Sequence, residues 1–180
     1  AGAVNLIKRF HYDESETAID PQSVLRDLPS PALVAHRWVH GGNWLTGPYQ
    51  YRAEDAEELN KLIALAPLHN PKANRWLQAA IGCWPDAQQI LVPDTGFFRT
   101  MPEVAWRIPL PRDLCENHNL RRYGFHGLSY DYISGALAEI APTLHAGRVV
   151  VAHLGNGASM CGLLEGRSIA SSMGFSALDG

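Results

Sequence analysis

Arg37, Asp94, His126 and the run Gly155-Asn156-Gly157 are the groups in this sequence whose types and settings suit the handling of an anion. Arg37 stands inside the apolar run from Pro31 to Val39, where a guanidinium is costly unless a carboxylate or a phosphate pairs with it. Either a structural Asp or a bound anion would satisfy it. Asp94 closes the run Gln89-Ile90-Leu91-Val92-Pro93, and the C-terminal ends of strands are where α/β proteins build their sites. It could act as a base, orient Arg37, or simply cap a turn. His126 lies between Gly124 and Gly127, just ahead of a helical pattern over 129–139. An imidazole N–H placed there, with the positive helix end behind it, can point at an anion; a buried, backbone-bonded ring is the alternative. Gly155-Asn156-Gly157 follows the strand-like run Val149 to Leu154, and two glycines leave backbone amides bare, as a phosphate chain requires. The same run reads equally as a plain hairpin turn, with Cys161 to Ile169 as the returning strand and a second turn.

Other groups carry weaker signals. His36 and His40 are four apart and would share a face in a helix or a strand, but no third metal ligand lies nearby. His69 is framed by Pro67 and Pro71, a stiff presentation that suits either a rigid loop or a substrate contact. The three cysteines show neither CxxC spacing nor an even count, which argues against a disulfide framework or a zinc ribbon and fits a reducing cytoplasm. A net charge of −3 without a dense basic run gives no electrostatic basis for binding nucleic acid or an anionic membrane. No apolar run approaches the roughly 20 residues that span a bilayer, and no signal-peptide pattern stands at the start. Both ends read as cut: no initiator Met precedes Ala1, and Asp179-Gly180 stops on a turn.

The elements that must position these groups follow from pattern. With 46% hydrophobic residues, 180 residues make one large domain or two small ones. Residues 1–12 read as an early strand, 20–31 as a connection with a short helical turn at 21–25, and the run around Arg37 as a buried strand ending at Gly41-Gly42. Ala56, Leu59, Leu62, Ile63 and Ala66 recur at helical spacing, so 52–66 reads as one amphipathic helix. Asn74 is placed to cap a helix over 75–83, and the prolines between 101 and 112 forbid a long helix there.

In combination, six blocks in order resemble the acetate kinases: His36-Arg37-Trp38-Val39-His40-Gly41-Gly42, Ala66-Pro67-Leu68-His69-Asn70-Pro71, Asp94-Thr95, Arg122-Tyr123-Gly124-Phe125-His126-Gly127, His153-Leu154-Gly155-Asn156-Gly157 and Ser172-Met173-Gly174-Phe175. The resemblance runs from about Leu33 to Gly180. It implies an α/β fold: a mixed-sheet, actin-like or ribonuclease H-like domain with flanking helices, mainly the N-terminal half of a two-domain kinase. Residues 1–147 would form most of the carboxylate-binding domain and 148–180 the start of the nucleotide-binding one. It also implies reversible transfer of the ATP γ-phosphate to acetate or another short carboxylate, with ATP/ADP and magnesium, in a cytoplasmic homodimer. On that resemblance Arg37 binds the carboxylate or acyl phosphate, Asp94 is the catalytic aspartate, and His126 steadies the transferring phosphoryl group. Val39, Leu68, His69 and Phe125 would line the substrate pocket, and His153, Leu154, Gly155, Asn156 and Gly157 would take the ATP phosphates.

The sequence departs from the family pattern in places. Leu128-Ser129-Tyr130 stands where Thr-Ser-His is usual, and Pro93, Gly96 and Ala177 where Phe, Ala and Pro are usual. The family's opening strand with its phosphate loop, a second catalytic arginine, the adenosine pocket and the metal-associated glutamate would lie outside these residues, so the segment alone is expected to be inactive and no metal ligand is assigned within it. Two other classes remain: a non-catalytic phosphate or acyl phosphate binding module, and an assembly fragment.

Overall fold

The computed structural model describes Arg9 and residues 19–180. The strand expected over 1–12 lies, Arg9 apart, outside the described residues. Helix α1 (Pro21–Leu25) forms where the sequence places it, with the Asp20 carboxylate accepting the Gln22 N–H at its start. Strand β1 (Leu33–Trp38) alternates, burying His36 and Trp38 and turning Ala35 and Arg37 outward. Strand β2 (Tyr49–Gln50) is short.

The single helix expected over 52–66 is instead broken into a 3-10 turn, helix α2 (Ala56–Lys61) and a second 3-10 turn over Leu62–Leu65. At the second of these turns Asn70 Nδ2 donates to the Leu62 carbonyl at 2.7 Å, while Ala66 N–H turns to the Ile63 carbonyl. Helix α3 (Asn70–Cys83) begins ahead of the expected start at Arg75. Pro71 sits in its first turn, where the missing N–H costs nothing, and Asn74 accepts from Gln78 rather than capping.

Strand β3 (Gln88–Pro93) runs parallel to β1 and antiparallel to β2, giving a mixed sheet of order β1-β3-β2. Its core is Trp38, Leu45, Leu59, Leu62, Leu77 and Leu91. After β3 the chain makes a 3-10 helix (Asp94–Thr100), then α4 (Glu103–Trp106) and α5 (Arg112–His118). The proline-rich stretch 101–112 holds only the four-residue α4, and α5 starts at its end; Pro111 precedes the first turn of α5 and Asn119, left-handed at φ 53°, ends it. Helices α6 (Gly127–Ile140) and α7 (Pro142–His145) lead into β4 (Arg148–Leu154), β5 (Ala158–Leu164) and β6 (Arg167–Ser171), an antiparallel sheet in sequence order.

The second core is Phe98, Met101, Tyr130, Cys161 and Leu163, so the 3-10 helix after β3 packs with α6 and the second sheet rather than with the first. The opposite face of that sheet exposes Val150 at 72%, Leu154 at 79% and Met160 at 54%. The architecture is mixed α/β, with Asp94 at the point where the chain leaves one core for the other.

Candidate active site

The parallel register of β1 and β3 sets Arg37 opposite Val92, and Asp94, two residues on, keeps the same face. The guanidinium therefore meets the carboxylate directly. Arg37 Nη2 donates to Asp94 Oδ2 at 2.6 Å, and Nε reaches both carboxylate oxygens at 3.2 Å. The apolar run around Arg37 suggests a buried guanidinium, but its side chain is 55% exposed while Asp94 is 1% exposed. The face that Arg37 occupies is partly open, so the carboxylate is far more fully enclosed than the guanidinium. The hydrogen bonds that Arg37 donates to Asp94 raise the Arg37 pKa above its ordinary value, and the fork of three bonds leaves Nη1 without a partner among the described residues.

Behind Asp94 stands the start of α6. A Cβ at Gly127 would fall onto the Asp94 carbonyl oxygen, so only glycine lets the helix begin this close. His126, just before it, is left-handed at φ 59° and ψ 24°, a region few non-glycine residues enter but in which histidine, like asparagine, is enriched. Its ring then stacks on His153 of β4, with centroids 4.0 Å apart and planes 20° from parallel. Burial pushes the His126 pKa down, His153 pushes it further, Asp94 opposes and Arg37 adds to the depression. The Nδ1 atoms of the two rings are held by serines: His126 by Ser159 Oγ at 2.9 Å, His153 by Ser129 Oγ at 3.0 Å.

Both Nε2 atoms are thereby turned to the 155–157 turn. A Cβ at Gly157 would lie 3.1 Å from His126 Nε2, and one at Gly155 would lie 3.1 Å from His153 Nε2. Gly155 N–H closes the turn onto the Gly157 carbonyl at 3.1 Å, while the Asn156 and Gly157 amides have no partner among the described residues. Hairpin and bare-amide turn are thus the same object. The Arg37–Asp94 pair acts electrostatically on His126, which stacks on His153 beside residues 155–157, so guanidinium, imidazole and backbone N–H donors are gathered at this end of α6.

The remaining sequence-derived residues divide. Phe125 is buried and packs edge-on against His40, 5.3 Å between centroids. Asn70 holds the His40 backbone from both sides, accepting its N–H at 3.3 Å and donating to its carbonyl at 3.1 Å, which sets the 68–69 turn beside Val39-His40. Leu68 there is 74% exposed and His69 is exposed. The Leu154 side chain lies on the sheet face opposite His153, so only its backbone adjoins the turn. His36 and His40 do not act together: His36 Nε2 meets Gln89 Oε1 at 2.8 Å, and His40 serves the 40–42 bend. Among the described residues no three His, Cys, Asp or Glu side chains converge to hold a metal. Two hollows nearby, about 580 and 730 Å³, are lined in part by Thr95 and by Gly127 and contain neither Arg37, Asp94 nor His126.

The sequence reading missed Ser159, Tyr130 and Ser129 as members of this cluster. Tyr130 Oη and Ser159 Oγ are 2.5 Å apart, and Ser159 pairs with His153 across the β4–β5 ladder. Counting outward from the Gly-Asn-Gly turn gives that pairing, and period-two alternation puts Ser159 on the face of His153.

Comparison with known proteins sets this geometry in context. A family model described as the acetokinase family matches residues 14–180. The acetate kinase of Methylocella silvestris is 51% identical over 155 residues, covering 85% of this chain and 38% of that protein. The acetate kinase of Sulfurovum sp. (strain NBC37-1) is 40% identical over 174 residues, covering 94% of this chain and 44% of its own length. Among solved structures, a propionate kinase from Francisella tularensis superposes with a TM-score of 0.75 at 41% identity, over 82% of this chain and 38% of that one. The Porphyromonas gingivalis acetate kinase gives 0.74 at 39% identity, over 81% and 37%. The chain thus spans less than half the length of these relatives.

Proposed function

This chain belongs to the acetokinase family, and from that premise we propose that a protein of its relatives' length carrying these residues transfers the γ-phosphate of ATP reversibly to acetate or another short carboxylate. A carboxylate oxygen forms the new P–O bond, the bond to the ADP oxygen breaks, and no proton need move. The work is alignment and charge neutralisation. In this reading Nη1 of Arg37 takes the carboxylate, and Asp94 holds the guanidinium fork in place. His126 donates from Nε2 to the phosphoryl group in transfer, and His153 with the amides of Asn156 and Gly157 takes the nucleotide phosphates. Val39, Leu68, His69 and Phe125 wall the acyl end.

The observation that carries the proposal is an Arg37–Asp94 fork whose charges both act on His126, together with the His126–His153 stack whose Nε2 atoms adjoin the 155–157 turn. Family membership supports ATP, magnesium, a cytoplasmic setting and a homodimer as parts of the same proposal. No acidic cluster of the described residues would hold the magnesium, so its ligands are assigned elsewhere. Among the described residues no helix is long and apolar enough to cross a membrane.

We also place the domain boundary by packing. A division between 147 and 148 would part α7 from β4 and split the second core, whose members run from Phe98 to Leu163. A division at the end of β3 keeps both cores whole.

The test is kinetic, in a protein of family length: Arg37→Ala should raise KM for the carboxylate and Asp94→Asn should lower kcat. Unchanged kinetics in both variants would overturn the assignment. This chain alone, spanning 38% of the Methylocella silvestris enzyme, should form little acyl hydroxamate from acetate, ATP and hydroxylamine.

A further inference from the structure

The hydrogen bonds around Ser159 can be assigned a direction by counting hydrogens. Ser159 is 4% exposed and Tyr130 is fully buried, so each hydroxyl hydrogen needs an acceptor inside the protein. For Tyr130, Ser159 Oγ, 2.5 Å away, is the hydroxyl's hydrogen-bond partner among the described residues, so the phenol hydrogen goes to it. A phenol is also the stronger acid of the pair, and so the better donor. Ser159 then has one hydrogen to place, and His126 Nδ1 is 2.9 Å away. Were His126 to donate from Nδ1 instead, Ser159 would accept twice and its buried hydrogen would have no acceptor.

We infer that Tyr130 and Ser159 are positioning residues: a one-way relay, Tyr130 O–H to Ser159, Ser159 O–H to His126 Nδ1, fixes His126 in the tautomer whose only N–H is on Nε2, facing Gly157. Neither hydroxyl touches the reacting atoms. Their effect is that the imidazole presents a donor, and not a lone pair, to the anion beside the 155–157 turn. The inference rests on the reading of that turn as the phosphoryl site, yet the tautomer itself can be read without any turnover. Other ionisable groups facing His126 are His153, Asp94 and Arg37, and none of them bonds its Nδ1.

The experiment is long-range ¹⁵N–¹H NMR of the imidazoles in this chain, at a pH above the His126 midpoint. The His126 signals are identified by their loss in His126→Asn, a residue type that tolerates the left-handed backbone. The expected wild-type pattern is an unprotonated Nδ1 and a protonated Nε2. In Ser159→Ala the two nitrogens should move toward a common averaged shift, Ser159→Thr should restore the separation, and Tyr130→Phe should narrow it. A protonated Nδ1 in the wild type, or an unmoved tautomer in Ser159→Ala with the remaining amide spectrum intact, would overturn the relay. The wild-type reading needs no variant beyond the one used for identification. If the tautomer is as stated but Arg37→Ala and Asp94→Asn leave kinetics untouched in the longer protein, the functional proposal fails and the relay stands.

Discussion

His126 and His153 stack face to face, 4.0 Å between ring centroids, so charge on His153 raises the cost of a proton on His126. Burial is the larger influence on His126, followed by His153. His126 should therefore titrate below its ordinary value of 6.5. Replacing His153 by Phe keeps a ring in the stack and removes one repulsive charge, so the His126 midpoint should rise, as followed by NMR titration. An unmoved midpoint would show that the stack carries no electrostatic coupling.

The Arg37–Asp94 pair should be worth less than a fully enclosed one. Breaking buried pairs costs about 3–5 kcal/mol, but more than half of the Arg37 side chain is in water, which screens the attraction. A double-mutant cycle with Arg37→Ala and Asp94→Asn, read from urea midpoints, should give a coupling of about 1–2 kcal/mol. Arg37→Ala alone should be the worse single change, because it strands a carboxylate that is 1% exposed.

Gly127→Ala should destabilise the chain by about 1–3 kcal/mol, since the new methyl can be housed only by moving the Asp94 backbone away from α6. Thermal unfolding measures the loss. Because the same shift drags Asp94, the Arg37–Asp94 coupling should shrink in the Gly127→Ala background; an unchanged coupling would mean that helix and carboxylate are not in register with each other.

Acid should weaken the fold through His40. Gly42 N–H donates to His40 Nδ1 at 3.0 Å, so the ring hydrogen is on Nε2 and bonds the Phe175 carbonyl at 3.3 Å. A second proton has no place, and burial lowers the His40 pKa from 6.5 to about 4. Between those values the unfolded chain holds the extra proton and the folded chain does not, so stability rises with pH across the window. The contribution is complete above pH 6.5 and is lost as pH falls to about 4, up to about 3 kcal/mol in all. His36 and His126, also displaced downward, add with the same sign. Urea midpoints at about pH 7 and about pH 5 should differ less in His40→Asn than in the wild type.

Much of this was legible beforehand, and the misses share a cause. Alternation and turn chemistry located β1, β3 and the β4–β5 hairpin, and the need of a guanidinium for a partner pointed from Arg37 to an acid. The break at the end of the 52–66 helix comes with the Asn70 side chain, which bonds His40 and Leu62 across the fold. Local propensity contains no term for such a contact. Ser159 was hidden likewise, an ordinary strand residue until the second sheet closes over α6, whereas Tyr130 stood out only as a departure from the family pattern, without its partner.

The parallel ladder that sets Arg37 against Asp94 also decides which genetic changes this architecture can absorb. Side chains change face at every step, so a single codon inserted between Leu33 and Arg37 would send the guanidinium to the Trp38 side and leave Asp94 alone, without altering any existing residue. Drift in length should accordingly collect in connections such as 41–48, whereas the six positions of β1 exchange residues but neither gain nor lose one.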